Sequence, residues 1–383
     1  MTPDTTRTSA PPHETSRWKP HWSPEQTNPG LPLITVINDP DDLAPFTTSA
    51  LAARHPARGR ITIHPTPLAT APAYLAHDLI RALGKHLPTP SPGAEPPWWT
   101  TNADESWRIA TAWTQALHIH HYVLTRAHRI PSRHYEHLMA LREHTAIHLT
   151  LIVSGPTPPT LHDILTTVQH HHIDTIDAAR AHLTSNEHPA AATPHPWWNA
   201  APFPPSPDEH WYQLPPRPSR PRSLRDDHSR PRPPLSPPTT SPRPTAIPLH
   251  SPIPDTALTT VAQRIHTHIA HPVHAAAVAL RALTGYDTDQ LRHLAEEPAP
   301  AGRRPAFADD LPSWVTPLID AAYAYTQLQS PHRQGNPFSL SSWDRDNIAH
   351  ATETCRLLTP PPARRSARVP HPTTAPQETK DPS

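Results

Sequence analysis

Apolar and polar positions alternate in blocks along residues 31 to 185, and each block carries a period that names an element. Leu33-Ile34-Thr35-Val36-Ile37 is a β-branched run between Pro32 and Asn38 and predicts a strand. Positions 43 to 54 suit a helix. Arg60-Ile61-Thr62-Ile63-His64, ended by Pro65, predicts a second strand. Tyr74, Leu75, Leu79, Ile80 and Leu83 recur at helical spacing, with Gly84 placed to close the helix. A helix over 104–117 puts Trp107, Ala110 and Trp113 on one face. Residues 119–124 predict a third strand, 133–144 a helix, and 148–153 (HLTLIV) a fourth strand. Helices over 160–168 and 175–183 close the segment. Short strands separated by longer helices imply βαβ units, hence an α/β fold on a parallel sheet.

Residues 255 to 358 read differently. Leu258, Val261, Ile265 and Ile269 follow Asp255 at helical spacing, and Pro272 opens a helix that Gly285 ends. Leu291 and Leu294 mark a short third helix. Trp314, Leu318, Ala321, Tyr325 and Leu328 mark a fourth, and Ile348, Ala351, Cys355 and Leu358 a fifth. This pattern predicts a small all-α C-terminal domain with no strand.

Composition explains what lies between. The chain has 58 prolines and 8 glycines among 383 residues, and proline inside a helix or strand removes a donor and clashes with the backbone. Residues 186–254 hold 21 of those prolines, which predicts a long Pro/Arg-rich disordered linker. Residues 1–30 read as a disordered arm and 359–383 as a disordered tail. The formal charge is balanced, 33 basic against 33 acidic residues, so bulk charge selects neither nucleic acid nor membrane. Only Lys19, Lys85 and Lys380 are lysines, the bias of a GC-rich coding sequence. One cysteine, Cys355, excludes a disulfide framework and a Cys-based zinc cluster. Without an apolar span or a signal-like N-terminus, the sequence predicts a cytoplasmic protein with no membrane partner.

Two stretches carry a resemblance. His120 to Ile130 (HHYVLTRAHRI), followed by Tyr135 to Arg142 (YEHLMALR), resembles the text of AAA-type P-loop ATPases that assist DNA transposition and related mobile-element functions. In that family an apolar strand ends Asp-Glu-Ala-His and a helix with a Leu-Arg pair follows. Leu149 to Gly155 (LTLIVSG) resembles the next strand, whose polar residue senses the nucleotide. The resemblance implies a P-loop-NTPase-like fold over 31–185.

The residues that do the family's chemistry are missing. A Walker A loop is Gly-x-x-x-x-Gly-Lys-Ser/Thr, because bare amides must cradle phosphates and Lys must reach them. Here the first strand runs into NDPDDLAPFTT, residues 38–48, with no Gly and no Lys. Asp39, Asp41 and Asp42 stand in the loop, Thr47 and Thr48 follow it, and Pro40 and Pro45 remove two amide donors. Each like-charge contact there costs a polyanion about 1–4 kcal/mol. At the Walker B positions stand Thr125 and Arg126, and Arg cannot serve as a base. Gly84-Lys85 precedes no helix start. The glycines never come within eight residues of one another, so no phosphate-binding Gly loop exists in the chain. The expectation is an NTPase-like fold without catalytic residues and without a nucleotide cofactor.

Other constellations have plainer readings. His118, His120, His121, His128 and the run His170-His171-His172 lack zinc-motif spacing, and His134-Tyr135-Glu136-His137 is no His-Glu-x-x-His. They are read as surface or core histidines. Ser154-Gly155 lacks the preceding Gly of a nucleophile elbow, and Cys355 reads as packing. The pairs Trp98-Trp99 and Trp197-Trp198 staple flanking loops onto the sheet or mark a contact surface. Arg217, Arg220, Arg222, Arg225, Arg230, Arg232 and Arg243 are interleaved with prolines. That stretch is a spacer, a nucleic-acid-binding strand or a proline-rich ligand for a protein groove. The reading as a whole is a non-catalytic adaptor or regulator with an unidentified protein partner, which the resemblance links to mobile-element DNA transactions. The alternatives are a nucleic-acid-binding protein and an ATPase with an atypical phosphate loop.

Overall fold

The computed structural model describes residues 19–24, 30–67, 69–88, 95–185, 210–215, 253–294, 311–330, 336–338 and 342–358. Five parallel strands form the central sheet: β1 (Ile34–Asn38), β2 (Arg60–Ile63), β3 (His121–Leu124), β4 (His148–Val153) and β5 (His170–Ile173). Their order is β2-β3-β4-β1-β5. The four strands read from β-branched runs are all present. The fifth was missed because its sequence is HHHI. It is an edge strand with three exposed histidines, paired only with β1, and carries no apolar alternation.

Register divides the sheet into two unlike faces. Ile34 and Val36 of β1, Ile61 and Ile63 of β2, Tyr122 and Leu124 of β3, and Leu149, Leu151 and Val153 of β4 belong to the larger core. Against them pack α2 (Ala73–Ala82), α4 (Ala103–Ala116), α5 (Ser132–Thr145) and α6 (Pro159–Thr167). The opposite face offers Ile37, Val123, Ile152 and Ile173 to a smaller cluster with α1 (Ala44–Ala52) and α7 (Ile176–Thr184). Its other positions are polar: Thr35, Thr62, His121, His148 and Thr150.

Local signals set several of these boundaries. Asn102 caps α4 by accepting the amide of Glu105 at 3.1 Å, and Thr175 caps α7 at the amide of Ala178. Gly84 takes φ +79 just past α2, as its place after the helical repeat predicts. Gly59, at φ +66, is required for a second reason: a Cβ there would stand 2.6 Å from the His120 ring and 2.7 Å from the His118 carbonyl. The short helix α3 (Trp98–Thr101) buries Trp99 and leaves Trp98 exposed, so one member of that pair staples the loop.

The C-terminal helices are α8 (Asp255–His268), α9 (Pro272–Thr284), α10 (Thr288–Leu294), α11 (Thr316–Gln329) and α12 (Ser342–Thr354). Pro272 opens α9 and Gly285, at φ +69, closes it. The expected independent all-α domain is not what they build. α11 lies along α4 as well as α9, and Val261, Ile265, Leu318 and Tyr325 join the core cluster of the α/β half. The reading without strands is also corrected: β6 (Tyr212–Gln213) pairs in parallel with β7 (Leu357–Leu358). Residues 210–215, read as linker, are thereby tied down, with Leu214 buried and Arg264 donating to the His210 carbonyl at 3.0 Å. Among the described residues no helix is long and apolar enough to cross a membrane.

Candidate functional site

In a parallel α/β sheet, ligands are met at the carboxyl ends of the strands. Here β1, β3 and β4 deliver Asp39, Thr125 and Ser154 to that edge, one residue past each strand.

Asp39 is fully buried and every polar group it offers is engaged. Its amide donates to the Val153 carbonyl at 2.8 Å, and its own carbonyl accepts from Asp42 at 3.2 Å and Gly155 at 3.3 Å. Oδ1 accepts the amide of Leu43 at 2.9 Å, at the start of α1. Oδ2 accepts the hydroxyl of Ser154 at 3.3 Å. A helix start attracts an anion because its first amides lack partners, and here the chain's own carboxylate takes that place. Leu43 adds no side-chain cap, and Pro45 in the first turn has no N–H to offer.

Asp41 and Asp42 are exposed on the same five-residue turn. Asp42 has φ +49, as does Arg126, and both tolerate the left-handed region only because tight turns hold them. The Arg126 guanidinium lies 3.8 Å from the Asp42 carboxylate, each side chain 44 % exposed. Loops after β1 and β3 thus meet through an ion pair of opposite sense to a Walker Lys and Asp. Thr125 is buried and turns to β2 instead: its hydroxyl donates to the Ile63 carbonyl at 3.2 Å and lies 2.7 Å from Nδ1 of His64.

His128 completes the edge. Its Nδ1 accepts the amide of Ser154 at 3.0 Å, so the ring holds the backbone of Ser154 and leaves the hydroxyl to Asp39. With Nδ1 an acceptor, a neutral ring carries its proton on Nε2, and the Arg129 Nε at 3.2 Å from Nε2 is then a packing contact rather than a second donated bond. Burial lowers the pKa of His128, and the guanidinium of Arg129 adds to the effect. Burial and Arg126 lower that of His64. Beside this edge a cleft of about 300 Å³ is lined by His64, Thr66, Asp78, Arg126, Arg129 and His134, among others. It mixes signs, with Asp78 already occupied by Thr66 and Arg81.

The positions singled out in the sequence divide as follows. Asp39, Asp42 and Arg126 are brought together at the strand ends, with Asp41 on the same turn and Thr125 beside them. Thr47, half-buried, and Thr48, exposed, lie farther along α1 and take no part. Arg217, Arg220, Arg222, Arg225, Arg230 and Arg232 lie outside the described residues, as do Trp197 and Trp198. Cys355 is buried and its thiol is pushed up to about 12 by burial, in keeping with a packing role. Sequence reasoning missed the roles of Ser154, His128 and His64; the one available signal was that Ser154 and His64 directly follow strands, with His128 four residues past β3. No family model, curated protein or solved structure matches this chain.

Proposed function

We propose that this chain is a P-loop-NTPase-like protein that acts without nucleotide chemistry, as an adaptor or regulator. The five-stranded parallel sheet with β4 between β1 and β3 is compatible with that fold. One observation carries the reading: the Asp39 carboxylate already sits at the start of α1 and is held there by Leu43 and Ser154. A phosphate entering the same place would meet a buried anion flanked by Asp41 and Asp42. Binding rather than turnover is then the use of the domain. Exposed Tyr74, Trp98 and Trp211 favour a protein partner, since exposed aromatics are enriched where partners dock. The link to mobile-element DNA transactions rests on the likeness of residues 120–155 alone.

Calorimetry of the full chain with ATP and Mg²⁺, alongside a phosphate-release assay, tests this. Neither heat of binding nor turnover is expected. Turnover that disappears in Thr125→Ala would establish the ATPase alternative. The proline-interleaved arginines support a second reading, contact with nucleic acid, which requires salt-dependent binding that deletion of residues 215–243 abolishes.

A further inference from the structure

The face of the sheet under α1 and α7 contains a polar region that an ordinary buried parallel sheet lacks. Such strands are usually continuous runs of Val, Ile and Leu. Here the opposite register partners His121 and His148 open β3 and β4 side by side, their rings stacked at 4.7 Å between centroids. α7 adds His182 from above, edge-on to both rings at 5.9 and 5.5 Å. One ligand nitrogen from each of the three lies within 4.8 Å of the others, the only such group among the described residues.

Two threonines order these rings. The hydroxyl of Thr150 lies 2.9 Å from Nε2 of His121 and 3.0 Å from Nε2 of His182. Thr35 stands 3.1 Å from Nε2 of His148. The hydroxyls restrict how the rings turn, and hydrogen-bonded partners orient imidazole ligands in metal sites through the ring nitrogen that does not face the metal.

We propose that His121, His148 and His182 form a binding site for a divalent transition-metal ion of the zinc class. Three imidazoles from three elements, with no sulfur and no carboxylate, suit Zn²⁺, Cu²⁺ or Ni²⁺ and not Ca²⁺ or Mg²⁺. Zinc–nitrogen bonds of about 2.0–2.1 Å put tetrahedral ligand atoms about 3.3 Å apart. The set must therefore close from within 4.8 Å, by turning of the His121 and His148 side chains on their strands and of His182 on α7. His148 and His182 are half-buried, so an ion can reach them from solvent. A fourth position remains for water or an anion. Arg60, the register partner of His121, is clamped to the carbonyls of Leu183 and Ser185, and its charge favours an anion there.

This site lies at the amino ends of the strands, opposite the edge built by Asp39 and Ser154, and does not depend on how that edge functions. Sequence neighbours do not make it. Of the histidines that stand out in the sequence, His121 alone is in the set, while His118, His120, His128 and the run His170–His172 are not; topology assembles it from three separate elements.

The test is titration of the full-length, chelator-treated protein with Zn²⁺ in competition with a chromogenic chelator, and with Co²⁺ followed by visible absorption. One equivalent should bind, with the intense d–d bands of a tetrahedral Co²⁺ centre, and Zn²⁺ should raise the unfolding temperature. His182→Ala, on a half-exposed helix position, should weaken this binding about a hundredfold or more, and Thr150→Val about tenfold. The variant with His170, His171 and His172 all changed to Ala should bind as the parent does. Unchanged affinity in His182→Ala, loss confined to the 170–172 variant, or no stoichiometric binding by the parent would each overturn the proposal. If His182→Ala does not fold, His182→Gln and the zinc-dependent melting of the parent decide the matter.

Discussion

Nζ of Lys85 lies 3.6 Å from the centroid of the Trp113 ring and 3.4 Å from Nδ1 of His266. This joins the loop after α2, the helix α4 and the C-terminal helix α8 in one buried contact. Its partners form an ordered chain. His266 donates through Nε2 to the Trp314 carbonyl at 2.9 Å, which leaves Nδ1 to accept from Lys85, and Trp113 donates to the Ala270 carbonyl at 2.7 Å. The next residue, His86, donates its amide to the Thr267 carbonyl at 2.6 Å. A lysine that looks like half of a phosphate-binding motif in the sequence is thus a tie between the two halves of the fold.

Burial holds the Lys85 pKa well below its ordinary value. The unfolded chain therefore binds a proton that the folded chain resists, and stability contributed at this position rises with pH. Lys85→Met should stabilise the protein at pH 7 by about 1 kcal/mol or more, because methionine removes the proton that the unfolded chain holds and the folded chain resists. The gain should shrink as pH approaches 10, where the unfolded lysine also loses its proton. Urea unfolding of both proteins between pH 6 and 10 measures this.

Tyr325 of α11 donates to Glu105 of α4 at 2.7 Å, in the same interface. Glu105 also receives Arg108 at 2.6 Å. Burial, with the carboxylate beside it, keeps the phenol protonated far above its usual range. Tyr325→Phe should cost about 1.5–3 kcal/mol, the worth of a hydrogen bond to a charged group. In a double-mutant cycle with Glu105→Gln the two losses should fall short of additive.

Removing the Asp39 side chain leaves the amide of Leu43 and the hydroxyl of Ser154 without their acceptor. Asp39→Ala should destabilise by about 1–3 kcal/mol, read as a lower thermal midpoint. Asp42→Ala should change stability by about 0.5 kcal/mol or less, because the pair with Arg126 is wide and solvated.

His77 and His137 have pKa values lowered to about 4, burial being the main cause for both. His77 lies beside the Ser106 hydroxyl at 3.3 Å, and His137 stacks on Trp22 and Trp107 and accepts from the Trp22 indole. Both are neutral when folded and protonated when unfolded between pH 6.5 and 4. Stability should therefore be present above pH 6.5 and fall through that window. His137→Phe keeps an aromatic ring and removes one titration, so the slope of unfolding free energy against pH should flatten, by up to about 1.4 kcal/mol per pH unit.

Much of the fold was legible because its signals are local. Apolar runs rich in β-branched residues marked four strands, the first two of them next to prolines, and Pro272 and Gly285 bounded α9 as their backbone preferences require. β5 was not legible: His170, His171 and His172 have no strand pattern, and only pairing with β1 makes them one. At the candidate site, the missing Gly and Lys of the loop after β1 were plain in the text. That Asp39 turns inward to Leu43 and Ser154, while Asp41 and Asp42 stay exposed, was not, since all three share one short stretch and one chemistry.

The order of amino acids alone determined the helices and the four strands β1 to β4 and which phosphate-loop groups the chain does not possess, because these depend on neighbours a few residues away. Tertiary structure decided what meets what. It merged the C-terminal helices with α4 around Lys85 and Tyr325, and it drew His121, His148 and His182 together from two strands and a helix. Such contacts depend on strand register and on the seating of a helix across a sheet, set by the packing of the whole core rather than by spacing along the chain.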